Sequence, residues 1–137
     1  MTIVIDASMA IAWLFDEERT EGVRNAINQV IDEGAIVPSL WRLEVANVLR
    51  TAVRRKRCDE IFVDRSLARL DRLMIDIDDR TDFHAWGVTH ALARETGLTP
   101  YDAAYLELAL RTGVALATCD NDLAAAARQR SIEVLTA

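Results

Sequence analysis

The chain has 137 residues, 51% of them hydrophobic and 28% charged, proportions of an ordinary soluble globular protein and a length suited to one domain over residues 1–137. No apolar run approaches the roughly 20 residues of a membrane span, and no charged segment introduces a short apolar one, so a cytoplasmic protein is expected. A net charge of −6 argues against a broadly basic nucleic-acid surface, and the single lysine, Lys56, leaves phosphate-binding loops, Schiff-base enzymes and phospho-receiver domains without the residue their chemistry needs.

Thr2-Ile-Val-Ile-Asp6 reads as a short strand buried on both faces, because three β-branched residues in a row stop at an acid. Met9–Phe15 continues as an apolar helix, and Thr20 to Glu33 as a second helix ended by Gly34. Ala35-Ile-Val-Pro38 is the next strand. Ser39 is placed to cap a long helix to about Lys56, followed by another over Ile61–Met74 and a short strand at Ile75–Asp78, suited to a sheet edge. One helix is expected from Asp82 to Thr96, stopping at Gly97. Thr99-Pro-Tyr-Asp102 opens the next with threonine at the cap, proline at the first helical position and aspartate at the third. Val114–Thr118 is a buried strand, Asp120 caps a helix over Leu123–Arg130, and Ile132–Leu135 closes the series. Strands alternating with helices imply an α/β fold, a parallel sheet covered on both faces.

Four acids sit where such a fold has its ligand crevice, beyond the carboxyl ends of strands or in the first turns of helices. They are Asp6, Glu44, Asp102 and Asp120, with Asp122 two residues further on. Taken singly, Asp102 and Asp120 also read as helix caps and Glu44 as a solvated glutamate. Taken together, carboxylates gathered at one edge repel, and burial raises their pKa further. A divalent cation resolves that conflict, and an all-oxygen set without histidine or cysteine suits Mg²⁺ or Mn²⁺. Ser8, Asn47 and Thr118 are polar neighbours suited to orienting a carboxylate or a metal-bound water. His84 and His90 do not form a metal pair, and Cys58 and Cys119 match no metal spacing and read as free thiols.

Ile3-Val-Ile-Asp6-Ala-Ser8, Glu44-Val-Ala-Asn47-Val-Leu, Thr99-Pro-Tyr-Asp102-Ala-Ala-Tyr-Leu-Glu-Leu-Ala and Ala117-Thr-Cys-Asp120-Asn-Asp122-Leu together resemble a PIN domain, more narrowly the VapC toxins of toxin–antitoxin pairs. The resemblance runs through essentially the whole chain in order, and the Thr-Pro-Tyr-Asp-Ala block is its most specific part. It implies a three-layer fold with a short central parallel sheet and a Mg²⁺-dependent endoribonuclease site. The metal-binding acids it implies are Asp6, Glu44, Asp102 and Asp120, while Asp122 falls where members vary. It also implies RNA as substrate, a homodimer and a cognate VapB-like antitoxin.

Arg50, Arg54, Arg55 and Arg57, at the end of the Glu44 helix, are candidate RNA-phosphate contacts or, more plainly, a solvated helix end favoured by the dipole. Other classes fit less well. A dehalogenase-type phosphatase needs a second acid where Ser8 stands, and a nuclease of DNA or flaps is expected to carry further insertions. A non-catalytic PIN-fold module binding protein or RNA is the alternative of a different class.

Overall fold

The computed structural model describes all 137 residues. The central strand is β1 (Ile3–Ile5), whose three side chains are all buried. It is followed by α1 (Ala7–Leu14), a short 3₁₀ turn at Asp16–Glu18, α2 (Glu21–Glu33), β2 (Ala35–Val37), α3 (Trp41–Arg54) and α4 (Glu60–Asp71). Then come β3 (Ile75–Ile77), α5 (Thr81–His84), α6 (Val88–Thr96), α7 (Pro100–Thr112), β4 (Leu116–Ala117), α8 (Asn121–Gln129) and β5 (Val134–Leu135). No helix is long and apolar enough to cross a membrane.

All five strands are parallel, in the order β3-β2-β1-β4-β5. The chain therefore walks outward from β1 through β2 to β3, crosses back, and continues through β4 to β5. Right-handed crossovers place α1–α4 on one face and α5–α8 on the other, a three-layer α/β architecture. The register sets Val4 beside both Ile36 and Leu116, so β1 is walled by apolar residues on either side. The direction of strand order reverses between β1 and β4, and such a reversal opens a crevice beyond their carboxyl ends.

The structure differs from the sequence-based expectation at element ends. The helix expected over Asp82–Thr96 is two, α5 and α6, separated at Ala85-Trp86-Gly87. Gly87 leaves helical geometry with ψ −107°, and its N–H reaches only back to the His84 carbonyl at 3.1 Å. Ser39 does not cap α3. Leu40 holds that position without a side-chain bond, and the Ser39 N–H donates instead to Thr81 Oγ1 at 3.0 Å. The fourth helix ends three residues early, at Asp71, and the last two strands keep only two ladder residues each. β3 lies at an edge, as its polar alternation suggests.

Candidate active site

Asp6 is delivered where β1 ends, and its backbone and side chain are both used. The Asp6 N–H donates to the Ala117 carbonyl of β4 at 3.1 Å, so the acid stands at the seam where strand order reverses. Oδ1 caps α1 by accepting the Met9 N–H at 2.9 Å and the Ser8 hydroxyl at 2.7 Å. Oδ2 accepts the Thr118 hydroxyl at 2.5 Å. Those donors favour the carboxylate, yet burial outweighs them, and the Asp6 pKa is pushed up to about 6 with a further contribution from the charge of Asp102.

The segment after β4 is tied to the same oxygens. Thr118 Oγ1 also accepts the Asp120 N–H at 2.9 Å, and Ser8 Oγ accepts the Cys119 N–H at 2.9 Å. Asp120 in turn caps α8 by accepting the Leu123 N–H at 2.8 Å. Ser8 and Thr118 are thus each donor to Asp6 and acceptor for the neighbouring loop.

Glu44 comes from the first turn of α3 and Asp102 from the first turn of α7. The second is held there by its helix start, since Thr99 Oγ1 accepts the Asp102 N–H at 3.1 Å and Pro100 supplies the first helical residue. Both carboxyls are raised first by desolvation. Glu44 is raised further by Asp102, and Asp102 by Asp120 and then Asp122, against the lowering effect of hydrogen bonds from Tyr105 and Thr99 respectively.

Asp6, Glu44, Asp102 and Asp120 line one cavity of about 390 Å³ at the carboxyl edge of the sheet. Asp122 is exposed outside it and acts on it only through its charge on Asp102. Asn47, expected to stand by Glu44, is exposed on α3 and does not line the cavity. Three of the four arginines also lie elsewhere. Arg50 pairs with Glu60 at 2.6 Å, Arg54 bonds Thr51 at 3.1 Å, and Arg55 is exposed. Only Arg57 reaches the cavity.

Two contributors carry no sequence signal of their own. Tyr105, 1% exposed, reads as one more core residue of an apolar helix, but its hydroxyl donates to Glu44 Oε1 at 2.5 Å. Burial and that bond push the phenol far above its usual range, so it remains a donor. Glu18, on the 3₁₀ turn, brings a fifth carboxylate to the rim. Cys119 is kept a thiol, its pKa pushed up to about 11 by burial and by the Asp6 charge. Tyr105→Phe should cost about 1.5–3 kcal/mol of stability in EDTA, the range for a hydrogen bond to a charged group. If Mg²⁺ binds here it should also weaken that binding about tenfold, the usual effect of losing a ligand's partner. Calorimetric titration with Mg²⁺ checks the second figure, and an unchanged affinity would separate Tyr105 from the site.

The donor chemistry suits a hard divalent ion: every group is a carboxylate oxygen, and three of the four carboxyls are raised by burial and by one another. The side chains line the cavity without closing on a single point, for no three His, Cys, Asp or Glu side chains stand close enough together to hold one ion as placed.

A family model described as the PIN domain matches residues 3–129. The chain belongs to the PIN-domain family. Within it, this PIN domain is 33% identical over 124 residues to Ribonuclease VapC3 of Pyrobaculum aerophilum, a match spanning 90% of this chain and 93% of that relative, and it is of the VapC type. The fold is also that of the crystal structure of PAE2754 from Pyrobaculum aerophilum, with TM-score 0.71 and 24% identity over 98% of this chain and 90% of that one.

Proposed function

We propose that this PIN domain is a Mg²⁺-dependent endoribonuclease of the VapC toxin type, a cytoplasmic homodimer that hydrolyses RNA phosphodiester bonds and is inhibited by a cognate VapB-like antitoxin. The observation that carries this reading is the meeting of Asp6, Glu44, Asp102 and Asp120 in one cavity where strand order reverses. Kinship with a protein named a ribonuclease supports RNA as the substrate.

Asp6, Glu44, Asp102 and Asp120 would hold Mg²⁺, with Mn²⁺ as its substitute and Asp122 adding charge from outside. Bound there, a divalent ion supplies Lewis acidity toward a phosphate and a water of lowered pKa. The chain's own residues prepare the place. Ser8 and Thr118 fix the two oxygens of Asp6, Tyr105 fixes one oxygen of Glu44, and the buried floor lowers the local dielectric. The cavity contains neither a Ser–His nor a Cys–His pair, so no protein nucleophile is called for.

The test is incubation of a mixed cellular RNA pool with purified protein, in Mg²⁺ and in EDTA. Discrete fragments in Mg²⁺ and none in EDTA are expected. Intact RNA in both, with folded protein, would overturn the ribonuclease reading in favour of the non-catalytic binding module.

A further inference from the structure

Arg57 is the one basic residue lining the acid cavity, and its arrival there is built into the backbone. Beyond the end of α3, Lys56 takes a left-handed φ of 59°, and the Arg57 N–H returns to the Ala52 carbonyl at 2.9 Å. Helices usually give that turn to glycine. Here it reverses the chain and sets the Arg57 guanidinium over the Phe15 ring, 3.7 Å from its centroid. Glu17 at 2.8 Å and Glu18 accept its N–H bonds.

Arg57 also borders a second, polar cavity of about 540 Å³, which Arg69 lines together with the acids Asp16, Glu17 and Asp59. Arg69 lies over Trp13, 4.4 Å from the ring, and is in none of the molecule's ion pairs. The two guanidiniums therefore share one design. Each has its flat face covered by an aromatic ring, the N–H edge of Arg69 is free and that of Arg57 is held by two exposed glutamates, and such an edge fits two phosphate oxygens as well as it fits a carboxylate. They mark a path from the acid cavity into its neighbour.

A polyanion entering the first cavity meets the carboxyls of Asp6, Glu18, Glu44, Asp102 and Asp120, so its flanking phosphates need positive groups nearby. The Glu17 and Glu18 partners of Arg57 are 64% and 42% exposed. Such surface pairs are weak and easily exchanged.

We propose that Arg57 and Arg69 form the track along which the RNA backbone leaves the acid cavity, and that Glu17 and Glu18 occupy Arg57 in place of a phosphate until RNA displaces them. This rests on the ribonuclease reading for its ligand and adds to it the path of the strand and the contact that guards it.

The experiment measures binding of a labelled single-stranded oligoribonucleotide in EDTA across rising salt. Arg57→Ala and Arg69→Ala should each flatten the plot of log K against log salt by about 0.7, the contribution of one phosphate contact on a single strand, and the double variant by about 1.4. Glu17→Gln with Glu18→Gln should tighten binding severalfold. Arg94→Ala, on α6 away from both cavities, is the control. In Mg²⁺ the arginine variants should raise KM and leave kcat nearly unchanged. A double variant that keeps its fold and the parent's salt slope would overturn the track, and so would carboxamide variants that bind no more tightly than the parent. Failure of the parent to cut RNA in Mg²⁺ would instead strike the ribonuclease reading, because the slopes report binding without cleavage.

Discussion

Asp6→Asn should abolish RNA cleavage and, in EDTA near neutral pH, make the protein more stable than the parent. The loss of activity should reach about a hundredfold or more, since removing only the partners of a metal-binding group already costs about ten- to a hundredfold. The gain in stability follows from burial. Asp6 has a pKa of about 6 in the fold against an ordinary value of 3.8, so the native state prefers the protonated acid. Its favourable contribution is complete below the unfolded value, declines as pH rises between the two, and is gone above about pH 6. Two pKa units correspond to about 3 kcal/mol. Asparagine is neutral throughout and escapes this penalty. It can still accept from Met9 and Ser8, but its amide must face Thr118, which becomes an acceptor there and loses its own. A net gain of about 1–3 kcal/mol is therefore expected at about pH 7 and none at about pH 4. Thermal unfolding at the two pH values checks it. Mg²⁺ should then raise the melting temperature of the parent and not of the variant. A variant that melts below the parent at neutral pH, or cuts RNA at the parent's rate, would contradict the argument.

Arg111→Met should destabilise the protein by about 1.5–3 kcal/mol, the range for hydrogen bonds to charged groups. Arg111 donates through Nε and Nη2 to Glu107 at 2.8 and 3.1 Å, and through Nη1 and Nη2 to Asp78 at 3.1 and 2.7 Å. Glu107 is 4% and Asp78 6% exposed beneath the exposed Arg111 side chain, so removing the guanidinium leaves two acids without their shared donor. Burial alone would raise Asp78, but the bonds and charge of Arg111 outweigh it and hold the carboxyl below its usual value. The parent thus keeps this stabilisation above the ordinary aspartate pKa and loses it as pH falls through the depressed one. In the variant the lowering effect of Arg111 on Asp78 is gone, so it should lose less stability than the parent on going from about pH 7 to about pH 3. Urea unfolding at both pH values distinguishes the two behaviours. Adding Asp78→Asn and Glu107→Gln should recover much of the loss, since a carboxamide tolerates burial that a carboxylate does not.

How much of this could be read in advance depended on the range over which each contact is made. The four acids that meet in the cavity were legible because each stands at a strand end or helix start, and parallel topology carries such positions to one edge. The cap at Thr99 with Pro100 was legible because capping is local. Tyr105 was not, since a tyrosine among alanines and leucines has the pattern of a core residue until Glu44 is seen beside it. Arg111 stands four residues after Glu107, a spacing the sequence displays, but Asp78 lies 33 residues from Arg111 and joins only through the fold. The break at Gly87 was hidden because an isolated glycine is tolerated inside a helix, and the apolar period runs on across it. Arg57 looked like one of four equivalent arginines. The left-handed turn at Lys56 and the ring of Phe15 single it out, and neither is a property of composition.

The amides of Met9, Cys119 and Asp120 donate to side-chain oxygens of Asp6, Ser8 and Thr118 respectively. The protein therefore carries three built-in spectroscopic reporters at its crevice, spread over two separate segments of chain. Any change in the charge of Asp6 alters the electron density on the oxygens these protons face, so their nuclear magnetic resonances should move together during a pH titration. Because Ser8 and Thr118 relay the effect across the seam, signals after β4 should shift with the same midpoint as Met9, though the group that titrates belongs to the end of β1. A molecule whose two halves answer as one to a single proton has its crevice as its clasp.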